Sequence, residues 1–427
     1  MVKMFVKYIK QSELLKNSSI LVSGTVIAQS IPILLQPFLR RYFAPEDFGI
    51  YSVYTSLIGI LMVISCFRYE QTIVLPRSDR NASVLATTSI LFCISFSLFL
   101  LLLVVLFKDW IGGIINLPKS KQFILYFVPI GTFLLGIFQV FNFWLIRQKA
   151  FLPISVNKLS RRIVEGGSQS SFAFIGFPKG LIYGDIFGQI ANVLVSFFQS
   201  IKKGYTLKDF DVYRAKSLLR KYADFPRYSL VPSLLSTASF LMPVLLINRF
   251  YSSEQAGYFD LTKLILSVPL ALISGSLSSV VLHKVSLSYR EKKKFLKDLK
   301  PLFGLVGFIF IGEVIFIVFL SKTIFVFLFG EQWITSGIIA KMLVWPFALN
   351  FITSSFTSIF VALNKVVWQS IWQILYFLLI LSLVLFSFLP FIDFIKVYVF
   401  FEVFANLSMI LLLFFLLRSY EGKLVNE

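Results

Sequence analysis

The residues best suited to chemistry form a charged stripe within an apolar segment at 154–177. Lys158, Arg161, Arg162 and Glu165 are spaced i, i+3, i+4 and i+7, which places them on one face of a helix. A charge facing lipid costs about 2.5–3.5 kcal/mol on insertion scales, so we expect the stripe to face the protein interior or water. Three cations against one acid predict a net positive surface near the cytoplasmic side. The alternative is a solvated face on a cytoplasmic loop that extends further than the apolar pattern indicates.

Further charged residues lie at the ends of apolar segments or singly within them. Arg41 and Arg249 each end a segment on the outer side, where they are outer-gate cations or interface anchors. Arg68 follows the second segment, Lys263 lies within a later one, and Asp185 is expected near the outer interface. Single charges of this kind reach an interface by snorkelling or pair with a charge on another helix.

This chain contains almost no residues suited to catalysis or to binding a metal or cofactor. It contains one histidine and two cysteines, and Cys66 and Cys93 are predicted to be small buried residues. The phosphate-binding loop of ATPases is absent. The predicted outer loops are too short to carry the catalytic acids of a membrane glycosyltransferase or polymerase. The sequence therefore predicts a protein that is not an enzyme and that uses no metal or cofactor.

The composition is that of an integral membrane protein. Hydrophobic residues make up 57% of the 427 residues and charged residues 15%, whereas soluble domains have about 45–50% and about 25%. The first apolar segment is long enough to be a retained helix rather than a removed signal peptide. Apolar runs predict about twelve transmembrane helices, at 18–39, 48–67, 82–107, 121–146, 154–177, 180–201, 228–248, 257–282, 300–320, 335–362, 368–390 and 395–417.

The net charge of +20 is mainly a signal of orientation. If the twelve helices alternate across the membrane, about 30 of the 41 Lys and Arg residues fall on the side of the N-terminus. Cytoplasmic loops carry the basic excess, so both termini are predicted to be cytoplasmic. Nucleic acid is an unsuitable partner because the basic residues are scattered over many short loops. The segment 202–227 interleaves aromatic and basic residues, which predicts an interfacial amphipathic helix.

The second half of the chain repeats features of the first. Arg41 and Arg249, like Glu46 and Glu254, are separated by about 208 residues, close to half of the chain. Six helices return the chain to its starting side, so the halves have the same orientation and form a parallel repeat. The predicted domains are a six-helix lobe at 1–201, a cytoplasmic amphipathic linker at 202–227 and a second six-helix lobe at 228–427.

Glycine and proline predict how individual helices pack and bend. Gly180, Gly184 and Gly188 recur every four residues, which gives the sixth helix a flat face for close packing. Pro129 falls within the fourth apolar segment, where it predicts a kink.

Several motifs in order resemble those of the Wzx-type polysaccharide flippases. This family belongs to the superfamily that also contains the multidrug and toxin extruders and the lipid II flippases. The resemblance spans nearly the whole chain and is carried by PEDFGIYS at 45–52, RYEQTIVLP at 68–76, GLIYGDIFGQ at 180–189, YADFPRYS at 222–229 and GYF at 257–259.

The resemblance implies an all-α, MATE-like, V-shaped transporter that works by alternating access in the cytoplasmic (inner) membrane. The implied cargo is an undecaprenyl-pyrophosphate-linked oligosaccharide unit for O-antigen or capsule. The implied partners are membrane lipids, a polysaccharide polymerase and chain-length machinery. Arginine suits bidentate phosphate contact. The predicted substrate-binding residues are Lys158, Arg161 and Arg162 near the inner gate, Arg41 and Arg249 near the outer helix ends, and Glu165, Arg68 and Lys263.

Two other functions remain open. A drug/ion antiporter of the same fold would rest on a deeply buried acidic cluster in one lobe, whereas the acids here are dispersed along the sequence. A polymerase or ligase acting on lipid-linked sugars would need a large external loop, and none is predicted.

Overall fold

The structure, a computed structural model, describes residues 13–426 and the side chains of residues 23–422. Within that range the chain consists of α-helices and short 3-10 helices, with no β-strand. The chain divides into two compact units, and the boundary between them lies between Leu241 and Met242.

The first unit contains seven helices and the first part of an eighth within the described range. These are α1 Glu13–Tyr42, α2 Pro45–Ser65, α3 Asp79–Ile114, α4 Phe127–Arg147, α5 Phe151–Ile175, α6 Gly180–Lys202, α7 Val212–Lys221 and α8 Asp224–Phe250. Two 3-10 helices, Tyr69–Val74 and Lys119–Tyr126, precede α3 and α4.

The second unit contains the end of α8 and six further helices within the described range. These are α9 Ser253–Arg290, α10 Leu296–Phe329, α11 Ile334–Phe356, α12 Ser358–Ala362, α13 Val366–Leu381 and α14 Phe391–Asn426. The 3-10 helix Glu331–Trp333 precedes α11, and Ser382–Phe386 extends α13.

The predicted all-α membrane fold is confirmed. Each of the twelve apolar segments coincides with a long helix, namely α1 to α6, α8 to α11, α13 and α14. In the part of the chain that the structure describes, ten helices are long and apolar enough to cross a membrane. The two long helices outside that set, α1 and α5, have the more polar sequences and pack against each other.

Two predicted helix boundaries differ from the structure for physical reasons. Helix α4 begins at Phe127, because Lys119–Tyr126 forms a 3-10 helix. Pro129 therefore lies in the first turn of α4, where its missing N–H removes no intrahelical hydrogen bond and requires no kink. Helix α3 continues to Ile114 beyond the predicted end at residue 107, through a break at Phe107 with φ −124° and ψ 21°.

The predicted helix in the 202–227 segment is present as α7. The Asp211 side chain accepts a hydrogen bond from the Tyr213 backbone N–H, at 2.9 Å, and so caps its first turn. Ala215 and Leu218 are buried in a core of the first unit, whereas Tyr213 is 88% exposed. The apolar face of α7 is thus divided between protein core and the surrounding medium.

The loops that suggested a repeat have the same length in both halves. Helix α1 ends at Tyr42 and α2 begins at Pro45, and α8 ends at Phe250 and α9 begins at Ser253. Both junctions fall at the spacing that relates Arg41 to Arg249. The division into lobes at 1–201 and 228–427, joined by 202–227, stays a prediction.

The glycine stripe of α6 is a packing face, as predicted, and the structure shows that its partner is α5. A β-carbon on Gly180 or Gly184 would overlap the side chains of Phe172 and Gln169. A β-carbon on Gly188 would lie 2.7 Å from the Glu165 β-carbon and 2.9 Å from the Arg161 carbonyl oxygen. Helices α5 and α6 approach this closely because glycine removes the side chain between them.

We predict that Gly184→Ala destabilises the protein. The new methyl group would overlap the Gln169 side chain and lie 3.0 Å from the Gln169 backbone nitrogen. Overpacking of this kind costs about 1–3 kcal/mol, which thermal unfolding of the purified protein in detergent would measure. Gly167→Ala, on α5 with open space around its β-carbon, is the matched control. Equal unfolding temperatures for the two variants would contradict the packing argument.

Candidate functional site

Helix α5 lies between α1 and α6 in the first unit, and these contacts fix the direction of its charged face. A β-carbon on Gly166 would overlap the Leu35 side chain of α1. On a neighbouring face of α5, the α6 glycine stripe meets the residues Arg161, Glu165, Gln169 and Phe172. The helix ends at Gly176, whose φ of +69° lies in the left-handed region that favours glycine.

Glu165 is the centre of an ion-pair network. Its Oε2 atom lies 2.9 Å from Nη1 of Arg162 and 3.7 Å from Nε of Arg161. The Tyr51 hydroxyl of α2 donates a hydrogen bond to Oε1 of Glu165 at 3.4 Å. Arg161 also reaches α6, where its Nη2 atom lies 3.2 Å from Oδ1 of Asp185. Three helices therefore contribute to one charged cluster.

Asp185 is a member of this cluster that the sequence reasoning missed. It was expected near the outer interface, but its side chain is 1% exposed and it pairs with Arg161. Gln189, one turn later on α6, donates a hydrogen bond to the other carboxylate oxygen. Its position in the sequence could have indicated this role. Asp185 lies between two glycines of the α6 packing face, and α6 directly follows the charged helix α5.

Lys158 completes the predicted stripe and connects it to α1. Its Nζ atom donates a hydrogen bond to Oγ1 of Thr25 at 3.0 Å. With Asp185 included, Lys158, Arg161 and Arg162 face two acids, so the cluster carries one net positive charge. This surplus is smaller than the sequence indicated.

The cations of the cluster are more accessible than its acids. The side chains of Arg161 and Arg162 are 21% and 29% exposed, whereas those of Glu165 and Asp185 are 7% and 1% exposed. A guanidinium has five N–H donors, and a single carboxylate uses only part of them. The half-buried side chains of Arg161 and Arg162 are therefore the more accessible part of the cluster.

Arg41 and Arg249 occupy equivalent positions in the last turns of α1 and α8, and both are exposed. Arg40, which precedes Arg41 on α1, is buried instead. Its Nε atom donates a hydrogen bond to Oε1 of Gln36 at 2.8 Å, and its guanidinium lies 3.5 Å from the centre of the Phe48 ring. Arg40 fixes the end of α1 against α2, and a ligand role for Arg41 and Arg249 stays a prediction.

Arg68 lies in the loop after α2, in a left-handed conformation with φ 64°. Its Nη1 atom is 3.9 Å from Oε1 of Glu70, which is buried in the following 3-10 helix. Arg147, at the end of α4, anchors the rest of this loop by hydrogen bonds to Asp79 at 2.9 Å and to the Pro76 carbonyl at 2.5 Å. Arg68 therefore has a local partner within this anchored loop.

Lys263 lies in the second unit, within a separate buried cluster. Its side chain is buried and interacts electrostatically with Asp260 and Glu402. The Tyr376 hydroxyl of α13 donates a hydrogen bond to Oε1 of Glu402 at 2.6 Å, and the Asn406 amide donates one to the Glu402 carbonyl at 2.8 Å. Of the two alternatives open for Lys263, snorkelling to an interface or pairing with a charge on another helix, the structure shows the second, with Glu402 of α14.

Among the described residues, no group of three or more His, Cys, Asp and Glu side chains is arranged to hold a metal ion. Cys66 and Cys93 are free and buried, as predicted. The cluster of α5 offers ion pairing and hydrogen bonding, and its two acids are both engaged by arginine.

We predict that Glu70 makes the stability of the first unit depend on pH. Burial raises the pKa of the Glu70 carboxyl, against the lowering effects of a backbone hydrogen bond and Arg68. Between the unfolded value of about 4.3 and this raised pKa, the folded chain holds a proton that the unfolded chain has lost. Stability should therefore fall as pH rises through that window.

Thermal unfolding of the wild type and of Glu70→Gln across that pH window tests this prediction. Glu70→Gln has no titratable group at this position, so the decline should be smaller in the variant. Glu46→Gln removes an exposed carboxylate from the same unit and serves as the control. An identical pH dependence in all three proteins would exclude Glu70 as the cause.

Comparison with protein families adds an independent observation. A family model described as polysaccharide biosynthesis protein matches residues 38–338, which include α2 to α10 and the charged cluster. A search of curated protein sequences gave no significant match.

Solved structures show what fold this chain adopts. It is similar to a multidrug resistance MATE family transporter of the MOP superfamily in an inward-facing conformation, with a TM-score of 0.72 and 14% identity over 92% of this chain and 96% of the transporter. It is equally similar to the lipid II flippase MurJ in an inward closed conformation, with a TM-score of 0.72 and 15% identity over 93% of this chain and 87% of MurJ. A MOP superfamily transporter from Pyrococcus furiosus gives a TM-score of 0.61 at 14% identity, over 95% of this chain and 96% of that protein. The fold is that of the MATE-like transporters.

Proposed function

Because the chain belongs to the polysaccharide biosynthesis protein family, we propose that it is a flippase for undecaprenyl-pyrophosphate-linked oligosaccharide units. It would move these units across the cytoplasmic membrane for surface polysaccharide such as O-antigen or capsule. The observation that carries the proposal is the pair of half-buried arginine side chains on α5, set in a multi-pass membrane protein of MATE-like fold.

The chemistry of the cluster suits a pyrophosphate. Arg161 and Arg162 present planar donor sets that match phosphate oxygens in a bidentate arrangement. Lys158 adds a third cation, and its ammonium group donates a hydrogen bond to the Thr25 hydroxyl. A pyrophosphate carries more negative charge than one carboxylate, so it competes with Glu165 for Arg162.

This competition couples cargo binding to helix positions. In the structure Glu165 holds Arg162 within α5, and Lys158 holds α5 to α1 through Thr25. Helix α1 contains Pro32 and Pro37, which remove backbone hydrogen bonds and let a helix bend. Cargo that draws Lys158 away from Thr25 would remove a hydrogen bond between α5 and α1, and so favour movement of α1 during alternating access.

The proposed orientation in the membrane follows from the distribution of Lys and Arg residues among the loops. Both termini would be cytoplasmic, and the Lys158–Arg162 stripe would bind cargo from the inner side. Transport would proceed by alternating access, and Arg41, Arg249, Arg68 and Lys263 are further candidate contacts for the cargo. A polysaccharide polymerase and chain-length machinery would act on the exported units.

A drug/ion antiporter of the same fold is the second candidate. One observation favours it, because Glu165 and Asp185 are both buried and meet at Arg161 rather than being dispersed. However, arginine occupies both carboxylates, and a transported cation would have to displace it. This arrangement suits an anionic cargo better than a cation.

Deletion of the gene tests the proposed function. We expect lipid-linked repeat units to accumulate on the cytoplasmic leaflet and surface polysaccharide to be lost, because export precedes polymerisation. Accessibility of the lipid-linked units to a membrane-impermeant sugar-binding probe would locate them, and a plasmid copy should restore export. Intact surface polysaccharide in the deletion strain would exclude the proposal.

Arg162→Ala tests the cluster itself. Hydrogen bonds to charged groups contribute about 1.5–3 kcal/mol, so we expect transport per protein molecule to fall roughly tenfold to a hundredfold. Arg162 suits this test better than Arg161, since Arg161 bridges two buried acids and its loss leaves both without that partner. Restoration of surface polysaccharide in the deletion strain, normalised to protein in the membrane, gives the readout.

Arg80→Ala is the matched control, because Arg80 forms an exposed pair with Asp209 at 3.7 Å. It should leave transport unchanged. If Arg162→Ala lowered membrane abundance and transport by the same factor, the residue would have a structural role only.

A further inference from the structure

A cleft lies wholly within the second unit, between α10, α11, α12 and α14. Its volume is about 650 Å³, within the range of about 300–1,000 Å³ that small-molecule sites occupy. Phe356, Ile359, Leu413 and Leu417 are buried in its wall. The cluster around Lys263 and Glu402 does not contribute to this wall.

The cleft is apolar at one end and basic at the other. One face of α14 lines the cleft with Ile410, Leu413, Leu417 and Arg418. The charged residue, Arg418, lies nearest the C-terminus of the helix. The rise of the helix from Ile410 to Arg418 is about 12 Å. Lys294, from the loop before α10, lines the same cavity. Both Lys294 and Arg418 are exposed.

The acid at this end of the cleft is already engaged. Glu421 accepts hydrogen bonds from the backbone N–H groups of Phe295 and Leu296, at 3.3 and 3.0 Å. Its negative charge therefore lies at the N-terminus of α10, where it stabilises the helix. Lys294 and Arg418 leave the mouth of the cleft with a net positive charge.

We propose that this cleft binds an anionic phospholipid, with one acyl chain along the apolar wall and its phosphate at Lys294 and Arg418. An apolar channel with a cationic mouth is complementary to an amphiphile with an anionic head. Free phosphate would use only the mouth and leave the apolar wall uncovered. The bound chain would fill the space between α10, α11 and α14. This site is separate from the charged cluster of α5, so it does not depend on the proposed transport function.

Lipid titration of the purified full-length protein, followed by native mass spectrometry, tests the proposal. The probes are phosphatidylglycerol and phosphatidylcholine with identical acyl chains. We expect the wild type to retain one phosphatidylglycerol selectively. In Lys294→Gln/Arg418→Gln, the affinity for phosphatidylglycerol should fall by roughly tenfold, since two basic contacts to an anionic head are lost.

Two further variants separate the mouth from its surroundings. Lys297→Gln/Lys300→Gln removes the same charge from neighbouring exposed positions outside the cleft, and it should bind like the wild type. Ile352→Trp adds bulk inside the cleft, so it should weaken the binding of both lipids while the unfolding temperature shows that the protein remains folded.

Three outcomes would overturn the proposal. One is equal binding of the two lipids by the wild type, and another is equal weakening by the two double variants. The third is displacement of the bound phosphatidylglycerol by an equimolar amount of undecaprenyl phosphate, which would assign the cleft to the cargo lipid. None of these outcomes bears on whether deletion of the gene blocks export.

Discussion

The structure of the first unit depends on neutralising the charges of α5 inside a bundle of apolar helices. An unpaired charge in such a place costs several kcal/mol, and removing one partner of a buried pair costs about 3–5 kcal/mol. Arg161 satisfies this constraint by bridging Glu165 on its own helix and Asp185 on α6. That bridge requires α6 to lie very close to α5, and the close approach in turn requires Gly184 and Gly188. The glycine face and the ion pairs are therefore two parts of one arrangement, in which packing brings the acid to the base.

The features of the fold that depend on local sequence pattern could be predicted from the sequence. The contacts that depend on packing between distant segments could not. Twelve helices could be predicted because each is a run of apolar residues, and the α6 packing face because its glycines recur at helical spacing. The pairing of Arg161 with Asp185 could not be predicted, since it depends on the rotation of two antiparallel helices about their axes. Arg68 was a candidate for the site on its charge alone. The left-handed turn at that residue places it beside Glu70.

The second unit also pairs charged side chains among apolar helices, but its cation is more deeply buried than those of α5. Lys263 of α9 and Glu402 of α14 lie close together, and a tyrosine from α13 donates to the carboxylate, much as Tyr51 donates to Glu165. Lys263 is only 7% exposed, however, whereas Arg161 and Arg162 have 21% and 29% of their side chains exposed. Lys263 therefore offers a ligand little accessible surface. The more exposed arginines of α5 are the better candidates for a second anion, as the proposed function requires.

The unequal burial within the α5 cluster is the reason for proposing an anionic ligand rather than a cation. Its acids are nearly inaccessible and already accept hydrogen bonds from arginine, tyrosine or glutamine, so an incoming cation would meet no open carboxylate. Its arginine side chains are 21% and 29% exposed, and each guanidinium has more donors than one carboxylate uses, so under the proposed function an anion would bind before the internal pairs break. Under the proposed function, Glu165 would re-form its pair with Arg162 after the anion leaves, because the two residues are only three positions apart on the same helix. A cluster built in this way would bind and release a phosphate group repeatedly, because its resting state carries its own counter-ion.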